Sequence, residues 1–129
     1  MLVFGSMKSN SNTLWLLIAA QVVVFGYFGI TKFTEPLNWL GFLPSWIDGL
    51  LGMPKETWLS IIGAIEILLA MLILIPVDLM RKIGAGLIVL HLIGVILQVG
   101  WNDVGVRDAG LLLSAIALFF LLPSLKNRG

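Results

Sequence analysis

The chain has 129 residues, of which 59% are hydrophobic and 12% charged, with a net charge of +1 and no cysteine. Soluble domains carry about 25% charged residues, and a protein this small exposes too much surface to be covered by so few, so a water-soluble domain is excluded. Singly scattered lysines and arginines leave no nucleic-acid footprint, and the missing thiols remove disulfides, cysteine nucleophiles, zinc–thiolate sites and iron–sulfur ligation.

In chain order, Met1 to Ser6 precede Met7-Lys8, which reads as a natural start. The first six residues are therefore expected to be a leader or an expression scar, within an N-terminal tail over residues 1–12. The apolar run Thr13–Phe33 is too long for a signal-peptide core and has no small-residue cleavage site before Lys32, so it is read as a retained spanning helix. Three further runs, Thr57–Val77, Ile83–Trp101 and Val104–Pro123, also approach the roughly 20 apolar residues that a span requires. Barrel strands would alternate polar and apolar residues, and these runs do not. Only helices or closed barrels satisfy their own backbone in hydrocarbon. The expected fold is thus all-α, a transmembrane four-helix bundle over residues 13–123, followed by a C-terminal tail at 124–129.

The connections add topology. Asp78 to Lys82 reads as a short charged turn after Pro76, and Trp101 to Gly105 as a second tight turn, which makes the last three helices antiparallel neighbours. The first connection, Thr34 to Glu56, holds Pro36, Pro44 and Pro54 among Trp39, Phe42, Trp46 and Leu50. It is too apolar for a solvated loop and too broken to span, so an interfacial or re-entrant cap over one mouth of the bundle is expected. The side with both termini carries Lys8, Arg81, Lys82, Lys126 and Arg128, against Lys32, Lys55 and Arg107 on the other, which orients the chain N-in and C-in across a plasma (inner) membrane.

Charged groups near the bilayer centre cost about 2.5–3.5 kcal/mol on insertion scales, so each asks for a reason. Glu66 sits midway along the second span with Gly63 and Ala70 on its face, where small residues admit a neighbouring helix. His91 lies at similar depth in the third span and shares a face with Gly84, Gly94 and Gln98; antiparallel packing would let it meet Glu66. Gln21 and Lys32 mark one face of the first span, giving each of these helices a polar stripe. Three readings remain open: interhelical hydrogen-bond glue, a ligand pocket, and a proton path. A metal site at His91 lacks a second histidine or any cysteine, and nothing selects a haem.

A second constellation, Lys32, Glu35, Asn102, Asp103, Arg107 and Asp108, is expected at the mouth under the cap. Asp103 as a helix cap and Asp108 in the first turns suit the helix dipole. Arg107 does not; it shares a face with Gly110 and Ser114 and either pairs with Asp103 or Glu35 or holds an anion or quinone carbonyl. No phosphate loop, serine elbow or paired metal motif is present, which leaves the chain poorly equipped as an enzyme acting alone.

Three stretches, Phe28-Gly-Ile-Thr-Lys-Phe33, Gly63-Ala-Ile-Glu66-Ile-Leu-Leu-Ala70 and Val106-Arg-Asp-Ala-Gly-Leu-Leu-Leu113, resemble the DoxX/DoxD-like family of small four-helix membrane proteins. The likeness runs from about Leu14 to the end of the last span, except for the Trp- and Pro-rich first connection. It implies a four-helix membrane fold and a place in a membrane redox assembly, since relatives include the small subunit of a thiosulfate:quinone oxidoreductase. On that reading the chain is a non-autonomous oxidoreductase subunit that binds a quinone or similar lipophilic molecule through Glu66, His91, Gln98, Gln21, Lys32, Arg107 and Asp108. Its partners would be the bilayer, a redox protein and a second copy of itself. The alternatives are a ligand-free scaffold and a small transporter; neither a broken helix nor an inverted repeat favours the latter.

Overall fold

The computed structural model describes the backbone of residues 7–122 and the side chains of residues 12–122. The leader expected at Met1–Ser6, the C-terminal tail, and the charges at Lys8, Lys126 and Arg128 lie outside the described residues. Four long helices, α1 (Met7–Thr34), α3 (Lys55–Leu74), α4 (Asp78–Val99) and α5 (Asp103–Leu121), are joined by tight turns and by one longer segment. That segment holds the single-turn helix α2 (Leu37–Leu40) and two 3-10 turns, Ser45–Ile47 and Leu50–Gly52. No strand occurs among the described residues. Each long helix contains a stretch apolar and long enough to cross a bilayer. The chain is a multi-pass membrane protein. Leu16, Val23, Leu68, Leu97 and Leu113 point outward from the bundle, where lipid covers them.

Helix boundaries differ from expectation in two instructive places. The charged turn expected at Asp78–Lys82 is instead the first turn of α4, and the reversal is confined to Ile75-Pro76-Val77. Pro76 lacks the N–H needed to prolong α3. Both cations bond to carbonyls at neighbouring helix ends. Arg81 Nε donates to Ile73 O at 3.1 Å, and Lys82 Nζ donates to Phe119 O and Leu122 O at 3.2 and 3.3 Å. Cations beside the negative end of a helix dipole are favoured. The cap of α5 is Asn102 rather than Asp103: its Oδ1 accepts from Gly105 N at 3.0 Å. The reversal itself needs glycine, since Gly100 has φ +81° and a Cβ on Gly105 would collide with Gly100 O.

The helices pack as two tight pairs, α1 with α3 and α4 with α5, which meet along thinner seams. In the first pair a Cβ on Gly29 would fall 2.6 Å from Ile67 Cγ1 and 2.8 Å from Gly63 O, so backbone meets backbone. The apolar core, including Ile18, Phe25, Ile73, Ile88 and Leu118, fills the half of the bundle away from the connecting segment. The other half is capped by that segment, which is fastened to the start of α3. Lys55 N donates to Asp48 Oδ1 at 2.9 Å, and Trp58 Nε1 donates to Leu50 O at 3.0 Å. The expected cap over one mouth is therefore present as α2 and the two 3-10 turns.

Candidate functional site: a charged trio in a capped cavity

Beneath the cap the two helix pairs part around a cavity of about 380 Å³. Its walls are mostly aromatic and aliphatic: Phe25 and Phe28 from α1, Trp39 and Trp46 from the cap, Leu59 and Ile62 from α3, Val95 and Val99 from α4. Polar groups enter at two levels.

At the deep level, Glu66 is 4% exposed and bridges two helices. Its Oε2 lies 3.0 Å from His91 Nε2, the meeting that antiparallel packing of α3 and α4 predicts. An ionised carboxylate can only accept, so with Glu66 ionised the imidazole donates from Nε2 in this contact. Its Oε1 lies 2.6 Å from Lys32 Nζ, an ion pair whose approach is off the line of a regular hydrogen bond. Lys32 is itself buried, with Nζ 4.0 Å from the centre of the Trp39 ring and 3.4 Å from Phe28 O. The imidazole edge rests on Phe25, with ring centroids 5.6 Å apart.

Lys32 thus belongs to the deep trio and not to the mouth, where its position near the end of α1 had suggested it. The reason is stagger. Glu66 is 11 residues into α3, while Lys32 is two from the end of α1, so flush helices would separate them by about 13 Å along the axis at 1.5 Å per residue. In the structure the cap sits over the end of α1, and α3 extends beyond it. The Lys32 Cβ is level with Gly63, and the side chain reaches inward to Glu66. Terminal lysines in membranes usually extend toward the headgroups. Here a buried carboxylate, two aromatic faces and a carbonyl hold the ammonium inside.

At the upper level, Arg107 and Asp108 of α5 line the same cavity. Their roles are the reverse of the expected ones. Asp108 is 3% exposed on the inward face of α5, whereas the Arg107 side chain is 44% exposed. Arg107 Nε donates to Asp108 Oδ1 at 3.2 Å, and the guanidinium lies 4.6 Å from the Phe28 ring centre. Neither Asp103 nor Glu35 is its partner in these contacts. A smaller cavity of about 270 Å³ lies on the other side of Phe28, Trp39 and Phe42, and Arg107 reaches it as well.

Six of the seven residues singled out in the sequence surround the cavity: Lys32, Glu66, His91, Gln98, Arg107 and Asp108. Gln21 does not. It is fully buried one half-bundle away, where its Nε2 donates to Ser114 Oγ at 3.1 Å and Leu111 O at 3.3 Å, tying α1 to α5. No family model, curated protein or solved structure matches this chain. The DoxX/DoxD likeness accordingly rests on its own residues.

Phe25, which lines the cavity beside Phe28 and Trp39 of the cap, is the lining residue that sequence reasoning missed. The available signal was spacing: Phe25, Phe28 and Lys32 recur at helical intervals on one face of α1. Chemically, the trio offers an ammonium and an imidazole N–H as donors and a carboxylate as acceptor, in apolar surroundings. Lys32 and Glu66 cancel in charge, so a neutral guest with carbonyl or hydroxyl oxygens suits the floor better than a free ion does.

Proposed function

We propose that this protein is a DoxX-like subunit of a membrane redox assembly that binds a quinone or a similar lipophilic molecule between its helices. The observation that carries the reading is an apolar, aromatic cavity whose floor holds two buried and one half-buried hydrogen-bonding side chains. Ligand pockets have this composition, with a few placed polar groups among apolar walls. A flat ring would lie against Phe28 and Trp39, with one oxygen toward Lys32 and His91 and the other toward Arg107. The scaffold alternative calls for a packed interior, which the cavity disfavours. Electrons would come from a partner protein, because the chain has no cysteine and no cofactor motif of its own. The membrane in this reading is the plasma (inner) membrane, and the balance of Lys and Arg supports an orientation with both termini in the cytoplasm.

The test is titration of purified protein with a short-tailed benzoquinone, read by quenching of tryptophan fluorescence. Saturable quenching in the wild type and at least about tenfold weaker binding in Glu66→Gln and in Arg107→Ala are expected, equivalent to 1.4 kcal/mol or more for each. Unchanged affinity in both variants removes these residues from the site.

A further inference from the structure

The cavity under the cap is too small to take a long isoprenoid or acyl chain together with a ring. At about 380 Å³ it sits near the lower end of the range of roughly 300–1,000 Å³ typical of pockets for drug-sized ligands. A guest with a lipid-like tail must therefore leave the tail outside. Which seam lets it out is decided by the packing of the bundle.

Three of the four seams between neighbouring helices are held by a close backbone contact, a side-chain contact or a tight reversal. Along α1 and α3, Gly29 and Gly63 bring the backbones into contact immediately beside Lys32. Along α1 and α5, Arg107 stacks on Phe28 at the cavity, and farther from the cap Gln21 bonds to Leu111 and Ser114. Along α4 and α5, the Gly100–Gly105 reversal closes the capped end.

The fourth seam, α3 with α4, is closed at one end only. Near the Pro76 turn it is tight: a Cβ on Gly84 would lie 2.8 Å from Ile73 Cγ2. Further along, the Glu66–His91 contact spans it at 3.0 Å. Beyond that contact it opens. On the stripe of α4 that faces α3, Gly84 is buried and His91 half-buried, while Gly94 and Gln98 are exposed. A Cβ on Gly94 would meet no atom within 4 Å. Ile62 of α3 and Leu90 of α4, the latter 66% exposed, both line the cavity.

We propose that the α3–α4 seam between His91 and Gln98 is the lateral portal through which an amphiphile reaches the cavity from the bilayer, and that Gly94 is its threshold. The ligand class is then a ring headgroup on a long apolar tail, with the head at the Lys32–Glu66–His91 trio and the tail passing over Gly94 into lipid. Glycine at position 94 leaves room for that chain, and the absence of a side chain there serves no helix packing. The inference rests on the ligand reading given above and adds the route and the tail.

The experiment compares two probes, a dimethoxybenzoquinone without a tail and the same ring bearing a decaprenyl chain, on the full chain in lipid nanodiscs. Gly94→Trp and the milder Gly94→Leu are tested against Gly110→Trp, which places the same bulk at another open helix position away from the cavity. Because position 94 is open, both variants are expected to fold, with thermal unfolding unchanged. The tailed probe is expected to bind at least about tenfold more weakly to Gly94→Trp, a loss like that of about two buried methylenes, and by less to Gly94→Leu. The tail-less probe should lose less than about twofold, and Gly110→Trp should change neither. Equal losses for both probes, or no loss with the tailed one, overturn the portal while leaving the cavity as a binding site. Failure of wild-type protein to bind either probe overturns the ligand reading itself.

Discussion

Replacing Lys32 by methionine keeps the hydrocarbon stem that packs on Trp39 and removes the charge opposite Glu66. The two side chains are 8% and 5% exposed and their charged atoms 2.6 Å apart. At an effective dielectric constant of about 20, two unit charges at that separation attract by about 6 kcal/mol before any desolvation cost. Desolvation offsets much of this, so the pair as a whole adds little net stability. Removing one partner is different, because the other remains buried, and that typically costs about 3–5 kcal/mol. Lys32→Met is thus expected to destabilise the bundle by about 3–5 kcal/mol, with Glu66 left to His91 alone. Glu66→Leu should cost less, because Lys32 sits near a helix end and its long stem can turn toward the headgroups. The double variant Lys32→Met, Glu66→Leu should recover most of the loss, giving a coupling of about 3 kcal/mol in the cycle. Reversible denaturation in mixed detergent micelles, followed by circular dichroism for all four proteins, measures each value. Single-variant costs below about 1 kcal/mol that simply add in the double variant would refute the buried-pair argument.

Other perturbations test the frame around that pair. Gly29→Leu forces a side chain into Ile67 and the Gly63 carbonyl, and should exceed the usual overpacking cost of about 1–3 kcal/mol, whereas Gly110→Leu, with open space around it, should be neutral in the same unfolding assay. Asn102→Ala removes the cap of α5 and should cost about 1 kcal/mol; a loss of the same size in Asp103→Ala would contradict the assignment of the cap. Because the chain has no cysteine, single thiols report topology cleanly. Ser45→Cys in the cap should react with an impermeant maleimide on intact cells, and Pro76→Cys only after permeabilisation. The opposite pattern would invert the membrane orientation.

The four spans and their antiparallel order were legible because a run of about 20 apolar residues has few physical alternatives. The Glu66–His91 meeting was legible for a related reason: a tight turn fixes which depths face each other in α3 and α4. What failed was inference across the long connection. Depth counted from the end of α1 puts Lys32 at the mouth, and only the stagger imposed by the cap and by Gly29 on Gly63 brings it to Glu66. From sequence Arg81 and Lys82 fall in a charged turn, yet both lie in the first turn of α4 and donate to helix-end carbonyls. Asp108 was explained by the dipole of its own helix. Its inward direction depends on where α5 faces, which local sequence does not specify.

An oxygen-bearing ring is expected to occupy the space beside Lys32, Glu66 and His91. Photoaffinity labelling with a benzoquinone carrying a diazirine on its ring, followed by peptide mass spectrometry, addresses that directly. Adducts concentrated on Phe28, Trp39 and the His91–Val95 stretch, and suppressed by excess unlabelled quinone, are the predicted result. Labelling spread over lipid-facing residues such as Leu16, Leu97 and Leu113, with no competition, would contradict it.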